Sequence, residues 1–149
     1  MNKYRLVCVL AICVTLLSGC SIVSEVNNTI DYVSEATKLI TNAQSFSEQF
    51  PSMVEQAVLS EEARQTLVTQ LEQLREDITN FNGIDVPAVA NDIHRELVGY
   101  NEKLIGEIDT YLGKINDGIT ELEQLRGAEI LDTISRMTLL LQQFEQLGG

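Results

Sequence analysis

The sequence predicts an all-α protein: an antiparallel bundle of four to five helices that follows a cleaved N-terminal signal peptide. Three observations predict it. After residue 20, apolar residues recur at intervals of three and four along most of the chain, the spacing of one helix face. Only two prolines, Pro51 and Pro87, occur in 149 residues, and no segment shows the alternation of a half-buried strand. The first 20 residues differ from the rest: two bases, no acid and a continuous apolar run mark them as an export segment rather than part of the fold.

Residues 1–5 carry Lys3 and Arg5, and residues 6–17 form the apolar run. That run is too short to span a bilayer as a helix, which takes roughly 20 apolar residues. Leu17, Ser18, Gly19 and Cys20 close it, with small side chains that let a peptidase reach the backbone. The pattern resembles the lipobox of bacterial lipoprotein precursors. The resemblance implies recognition of Leu17, Ser18 and Gly19 by the signal peptidase, cleavage before Cys20, and a diacylglycerol on the Cys20 sulfur, with or without a further N-acyl chain such as palmitate. The chain then divides into signal peptide (1–19), lipidated cysteine with a very short tether (20–23) and an acidic helical bundle domain (24–149). Cys8 and Cys13 leave with the signal, so no disulfide can form and the remaining 130 residues must fold on their apolar core, which this length permits.

Charge narrows the partners. All 22 acidic residues lie after Cys20 against 8 basic ones, a net of −14. Nucleic acid is excluded, because binding a polyanion needs clustered Lys and Arg. Adsorption of the body on anionic lipid is disfavoured for the same reason. A solvated surface accounts for the acidity.

The first helix is expected from Val23, Val26, Ile30, Val33 and Ile40, directly after Ser21 and Ile22. The flexible Ser/Gly leader of many lipoproteins is missing, which puts the body close to the headgroups. A short amphipathic segment follows, with Phe46, Phe50, Met53, Val54, Ala57 and Val58, interrupted near Pro51, a residue suited to the first turn of a helix. Ser60 with Glu61 and Glu62 starts the next helix: the hydroxyl can accept from a free amide and the acids meet the positive end of the dipole. Ala63, Leu67, Leu71, Leu74, Ile78 and Phe81 form its stripe; Asn82 and Gly83 end it before a turn over residues 84–87.

From residue 88 to 126 the pattern predicts one helix of ~58 Å at 1.5 Å per residue. Leu97, Leu104, Tyr111 and Leu125 share one heptad column with Gly118, while Ile108, Ile115 and Leu122 share another. Val98, Ile105, Leu112 and Ile119 flank them, which makes the stripe wide enough for a multihelix core. After Gly127, a last helix turns Ile130, Leu131, Ile134, Met137, Leu141 and Phe144 inward. An antiparallel bundle buries all these stripes together.

Candidate sites are few. Gly99, Gly106, Gly113 and Gly127 fall in one heptad column, with Thr120 in the gap, nearly opposite the apolar stripe. Each interior glycine costs a helix roughly 0.5–1 kcal/mol relative to alanine. Gly99, Gly106 and Gly113 are therefore a candidate helix-contact face, for another helix of the chain or for a partner; tolerated surface glycines or a shorter helix are the alternatives. His94, the only histidine, has no second His or free Cys beside it and no Glu three residues before it, so it is expected on the helix surface without a metal. Asp92 with Glu96, and Asp117 with Glu121, are four apart but lack the oxygen-rich loop spacing of calcium sites. With no phosphate-binding loop and no serine elbow, no catalytic residue and no cofactor beyond the lipid are expected, and the chain reads as no enzyme.

Taken whole, the lipobox, short tether and acidic helical body resemble the small uncharacterised DUF6376-like lipoproteins of Bacillus-type bacteria. The resemblance implies attachment to the extracytoplasmic face of the cell membrane. The expected role is a non-enzymatic interaction or structural module of the cell envelope that binds an envelope protein or itself. The alternative is a binder of a small cationic ligand or divalent metal through the acidic surface.

Overall fold

The structure, a computed structural model, describes residues 19–117 and 128–147. Leu17, Ser18, Gly118, Ile119, Thr120, Glu121, Leu122, Leu125 and Gly127 lie outside the described residues, as do the side chains of Val23, Val26 and Phe144. The continuity of the third helix beyond Asp117 is outside them too. Four α-helices are present among the described residues: α1 (Gly19–Leu59), α2 (Glu61–Asn82), α3 (Asn91–Asp117) and α4 (Ala128–Leu147), with a short 3-10 helix (Ala88–Ala90) before α3.

The helices form a closed ring in which α1 packs on α2 and α4, and α3 packs on the same two. Ring contacts fix the directions. Tyr32, early in α1, meets Phe81 at the end of α2 and His94 at the start of α3, with ring centroids 5.8 and 5.7 Å away. Further along α1, Phe50 meets Tyr111 of α3 at 5.1 Å. Thus α1 and α3 run together and α2 runs against them. Thr133 near the start of α4 bonds Glu107 in the second half of α3, so α4 is antiparallel to α3. The topology is up-down-up-down.

The core is a heptad seam in three of the helices. In α2 the buried residues are Leu67, Leu71, Leu74, Ile78 and Phe81, and in α3 they are Leu97, Asn101, Leu104, Ile108, Tyr111 and Ile115. The alternating steps of four and three keep one face turned to the neighbours, as in left-handed bundles. In α1 the seam is Tyr32, Ala36, Leu39, Ala43, Phe46, Phe50 and Ala57, with Ile40 beside it. α4 adds Ile130, Ile134, Met137 and Leu140.

Three expectations need correction. Ile30 is not on the core face of α1: it is 61% exposed, while Tyr32, Ala36 and Leu39 are buried. Residues 20–23 lie in the opening turns of α1. The third helix begins at Asn91 rather than 88, because Pro87 holds an extended backbone (ψ 148°) and the next three residues form the 3-10 helix. Its first turn is closed by the Asn91 side-chain amide donating to the Ala88 carbonyl at 3.2 Å.

The third correction is Pro51, which interrupts nothing. It lies inside α1, exposed, on the side away from the core. A proline there removes the bond to the Ser47 carbonyl and costs ~3 kcal/mol relative to alanine. Burial of Phe46 and Phe50 on one side contributes roughly 3–6 kcal/mol together. Ala57, seven residues after Phe50 and also buried, holds the same register on the other side. An exposed proline also opens the helix on its solvent face, the sense in which long helices curve around a core. Packing wins over local propensity.

The α1–α2 corner is one residue long. Ser60 is extended (φ −144°, ψ 133°), and its hydroxyl accepts from the Ala63 amide at 3.4 Å while Glu61 and Glu62 occupy the first turn. Replacing Pro51 by alanine restores the missing backbone bond without touching the core. Pro51→Ala is expected to raise the free energy of unfolding by up to ~3 kcal/mol, measured by urea denaturation; a fall in stability would mean that the bend itself is required.

Candidate functional site

The glycine column lies open. Gly99, Gly106 and Gly113 are exposed on the outer side of α3, and a Cβ built on any of them meets no atom within 4 Å beyond its own turn of helix. Among the described residues no helix of the chain covers that column, so the contact read as intramolecular is not made there. The Thr110 hydroxyl donates to the Gly106 carbonyl at 2.8 Å, and exposed Glu102, Lys103 and Asp109 lie beside the strip. It is an open strip of backbone within a charged surface.

His94 is half-buried rather than fully on the surface as expected. The turn of α3 that carries it faces the end of the bundle where α1 and α2 meet, so its ring packs against Tyr32 and Phe81, with centroids 5.7 and 5.6 Å away. The Tyr32 hydroxyl lies 3.3 Å from His94 Nδ1, a contact across 62 residues of sequence. In the neutral Nε2–H tautomer the hydroxyl donates to Nδ1. Burial pushes the Tyr32 phenol up to about 12, so this donor keeps its proton, and burial also lowers the His94 pKa from 6.5. The pair is a latch between α1 and α3.

Two polar groups sit in the core. Asn101, fully buried, donates from its amide nitrogen to the Asn82 side-chain oxygen at 2.6 Å and ties α3 to the end of α2. Its own Oδ1 has no hydrogen-bond partner among the described residues. Thr133, also fully buried, donates to Glu107 Oε1 at 3.0 Å, and Lys103 lies 3.5 Å from the same oxygen. Both are registry contacts, each joining neighbouring helices by one hydrogen bond. Sequence reasoning passed over them, although Asn101 stands seven residues before Ile108 and fourteen before Ile115, in their own column.

Of the acidic pairs read from the sequence, the one that includes Glu121 lies outside the described residues. Asp92 pairs with Arg95 at 3.3 Å, and Asp109 pairs with Arg75 of α2 at 2.8 Å. Such exposed pairs contribute about 0–1 kcal/mol each. Among the described residues no three His, Cys, Asp or Glu side chains gather so as to hold a metal ion. A shallow groove between α1 and α2 is lined by Asn42, Ser45, Gln49, Gln70 and Gln73 above Phe46 and Leu74, with Asp77 at its side accepting from the Gln73 amide at 3.1 Å. No described helix is long and apolar enough to cross a membrane.

The latch has a pH signature. A histidine whose folded pKa lies below its unfolded value leaves stability unaffected above about pH 6.5 and destabilises the fold as pH falls from there toward the folded pKa. Wild-type protein is therefore expected to lose stability between pH 7.5 and 5.5, and His94→Gln to lose less over that interval. Urea titrations at both pH values check it; equal losses in the two proteins would remove His94 as the source.

The profile of the DUF6376 family, described as a family of unknown function, matches residues 32–147. These limits run from Tyr32, the first buried residue of α1 among those described, to Leu147, the last of α4. The chain is similar to the uncharacterized lipoprotein YybP of Bacillus subtilis (strain 168), 30% identical over 130 residues, 87% of this chain and 88% of that relative. No solved structure matches it. With the profile spanning the whole ring of helices, the chain belongs to the DUF6376 family.

Proposed function

We propose that the chain is a lipoprotein, held by lipid on Cys20 at the extracytoplasmic face of the cell membrane, whose bundle serves as a non-enzymatic interaction or structural module of the envelope. The observation that carries this is the run Leu17, Ser18, Gly19, Cys20 directly ahead of a domain whose relative bears the name lipoprotein. The body, at −14, gains nothing from anionic headgroups, so the lipid supplies nearly all the membrane affinity. One acyl chain binds only marginally, whereas the two of a diacylglycerol hold stably.

Within this reading, the face for a partner, whether an envelope protein or a second copy, is the column of Gly99, Gly106 and Gly113. Its support is that the backbone there is open to approach from outside and that three glycines together cost α3 roughly 1.5–3 kcal/mol. A bundle with this interior has no need of them for its own packing.

Both parts are testable in cells. Cys20→Ser is expected to move the protein from the membrane fraction to the medium or to block its processing; full retention in membranes as a processed chain would refute the anchor. Leucine at positions 99, 106 and 113 is expected to reduce crosslinked complexes of the anchored protein several-fold while circular dichroism stays unchanged. Unaltered crosslinking with intact helicity would remove the glycine face from the account.

A further inference from the structure

We propose that α1 is a rigid stalk that stands the bundle end-on to the lipid surface, with the α2–α3 connection facing the membrane and the Ser60 corner pointing away; this rests on lipid attachment at Cys20. The first observation is continuity. α1 runs unbroken from Gly19 to Leu59, so the backbone of Cys20 belongs to the same helix that sets Tyr32 into the core. At 1.5 Å per residue, Cys20 lies ~18 Å along the axis from Tyr32 and ~58 Å from Leu59.

The second observation is where packing begins. Asn27, Asn28, Ile30 and Asp31 are exposed, and the aromatic contacts of α1 with α2 and α3 start at Tyr32. The same end holds the α2–α3 connection: Asn28, Asp31, Tyr32 and Glu35 line one groove with Ile84, Asp85, Val86 and Pro87. The far end holds Leu59 and the one-residue corner at Ser60.

Electrostatics favour this posture over a flat one. Lying down would lay the long acidic sides of the bundle on the headgroups, at the distance where an anionic surface repels them most. Upright, Glu25 is the one acid on the stalk, ~8 Å along the axis from Cys20, and the acids of the body, beginning with Asp31 and Glu35, stand off by about the length of the stalk. That length is roughly twice the ~8 Å screening length at physiological salt. The stalk thus keeps an acidic body on an acidic surface with little penalty.

The lipidated full chain in vesicles of mixed neutral and anionic phospholipid tests this. Once the signal is removed no free thiol remains, so Val89→Cys and Leu59→Cys each offer a single labelling position; both residues are exposed, 69% and 85%, and neither supports the core. Energy transfer from a donor at position 89 to an acceptor on lipid headgroups is expected to exceed that from position 59 several-fold. A Gly-Ser-Gly-Ser insertion between Val23 and Ser24 is expected to abolish the difference while the protein still floats with the vesicles. Equal transfer from the two positions in the uninserted, floating protein overturns the stalk, as does a difference that survives the insertion. Failure of the uninserted protein to float overturns the lipid anchor itself.

Discussion

The buried seam of α1 is the constraint on which the rest of this structure depends. It supplies one wall to α2 and another to α4, and only α3 completes the ring without packing broadly on it. Seven residues at heptad spacing, from Tyr32 to Ala57, carry that seam. Three of them, Ala36, Ala43 and Ala57, are small enough to let the neighbouring helices approach closely, and Tyr32, Phe46 and Phe50 fill the layers between. The proline in the middle tests the strength of this seam. Its local cost is comparable to the burial of the two phenylalanines before it, and the heptad register passes through it unchanged.

That seam also links fold to address. The helix that builds the core opens at Gly19 and Cys20, so whatever holds Cys20 holds the bundle without a hinge of irregular backbone between them. The polar contacts serve the same end. Tyr32 with His94 and Asn101 with Asn82 both lie where α2 turns into α3, and they fix the end nearest Cys20. A buried asparagine adds little stability and specifies register.

Much of this was legible in the sequence, and the gaps have physical causes. The stripes of α2 and α3 were readable because large aliphatic residues recur there against charged neighbours, and Ser60 was readable because capping is local chemistry. α1 was misread at its start. Its core face uses alanine and a tyrosine while Ile30 points to solvent, so hydrophobicity alone selects the wrong side. Pro51 was misread because the rule against interior proline is local, whereas the compensating contact, Phe50 on Tyr111, reaches another helix. His94 was misread because its partners lie 62 and 13 residues away in sequence. Of the candidate site, the run Leu17 to Cys20 is contiguous, so the proposal of a lipid anchor rests on sequence alone. The open face of Gly99, Gly106 and Gly113 required the position of every other helix.

The central claim is that α1 behaves as one cooperative helix on both sides of Pro51. Amide hydrogen exchange of the folded protein, followed residue by residue through α1, tests it most directly. The account predicts that the amides of Ala43, Phe46 and Phe50 and those of Val54 and Ala57 share one opening free energy, equal to that of global unfolding. Exchange of the residues after Pro51 through a separate, lower-energy opening would contradict it.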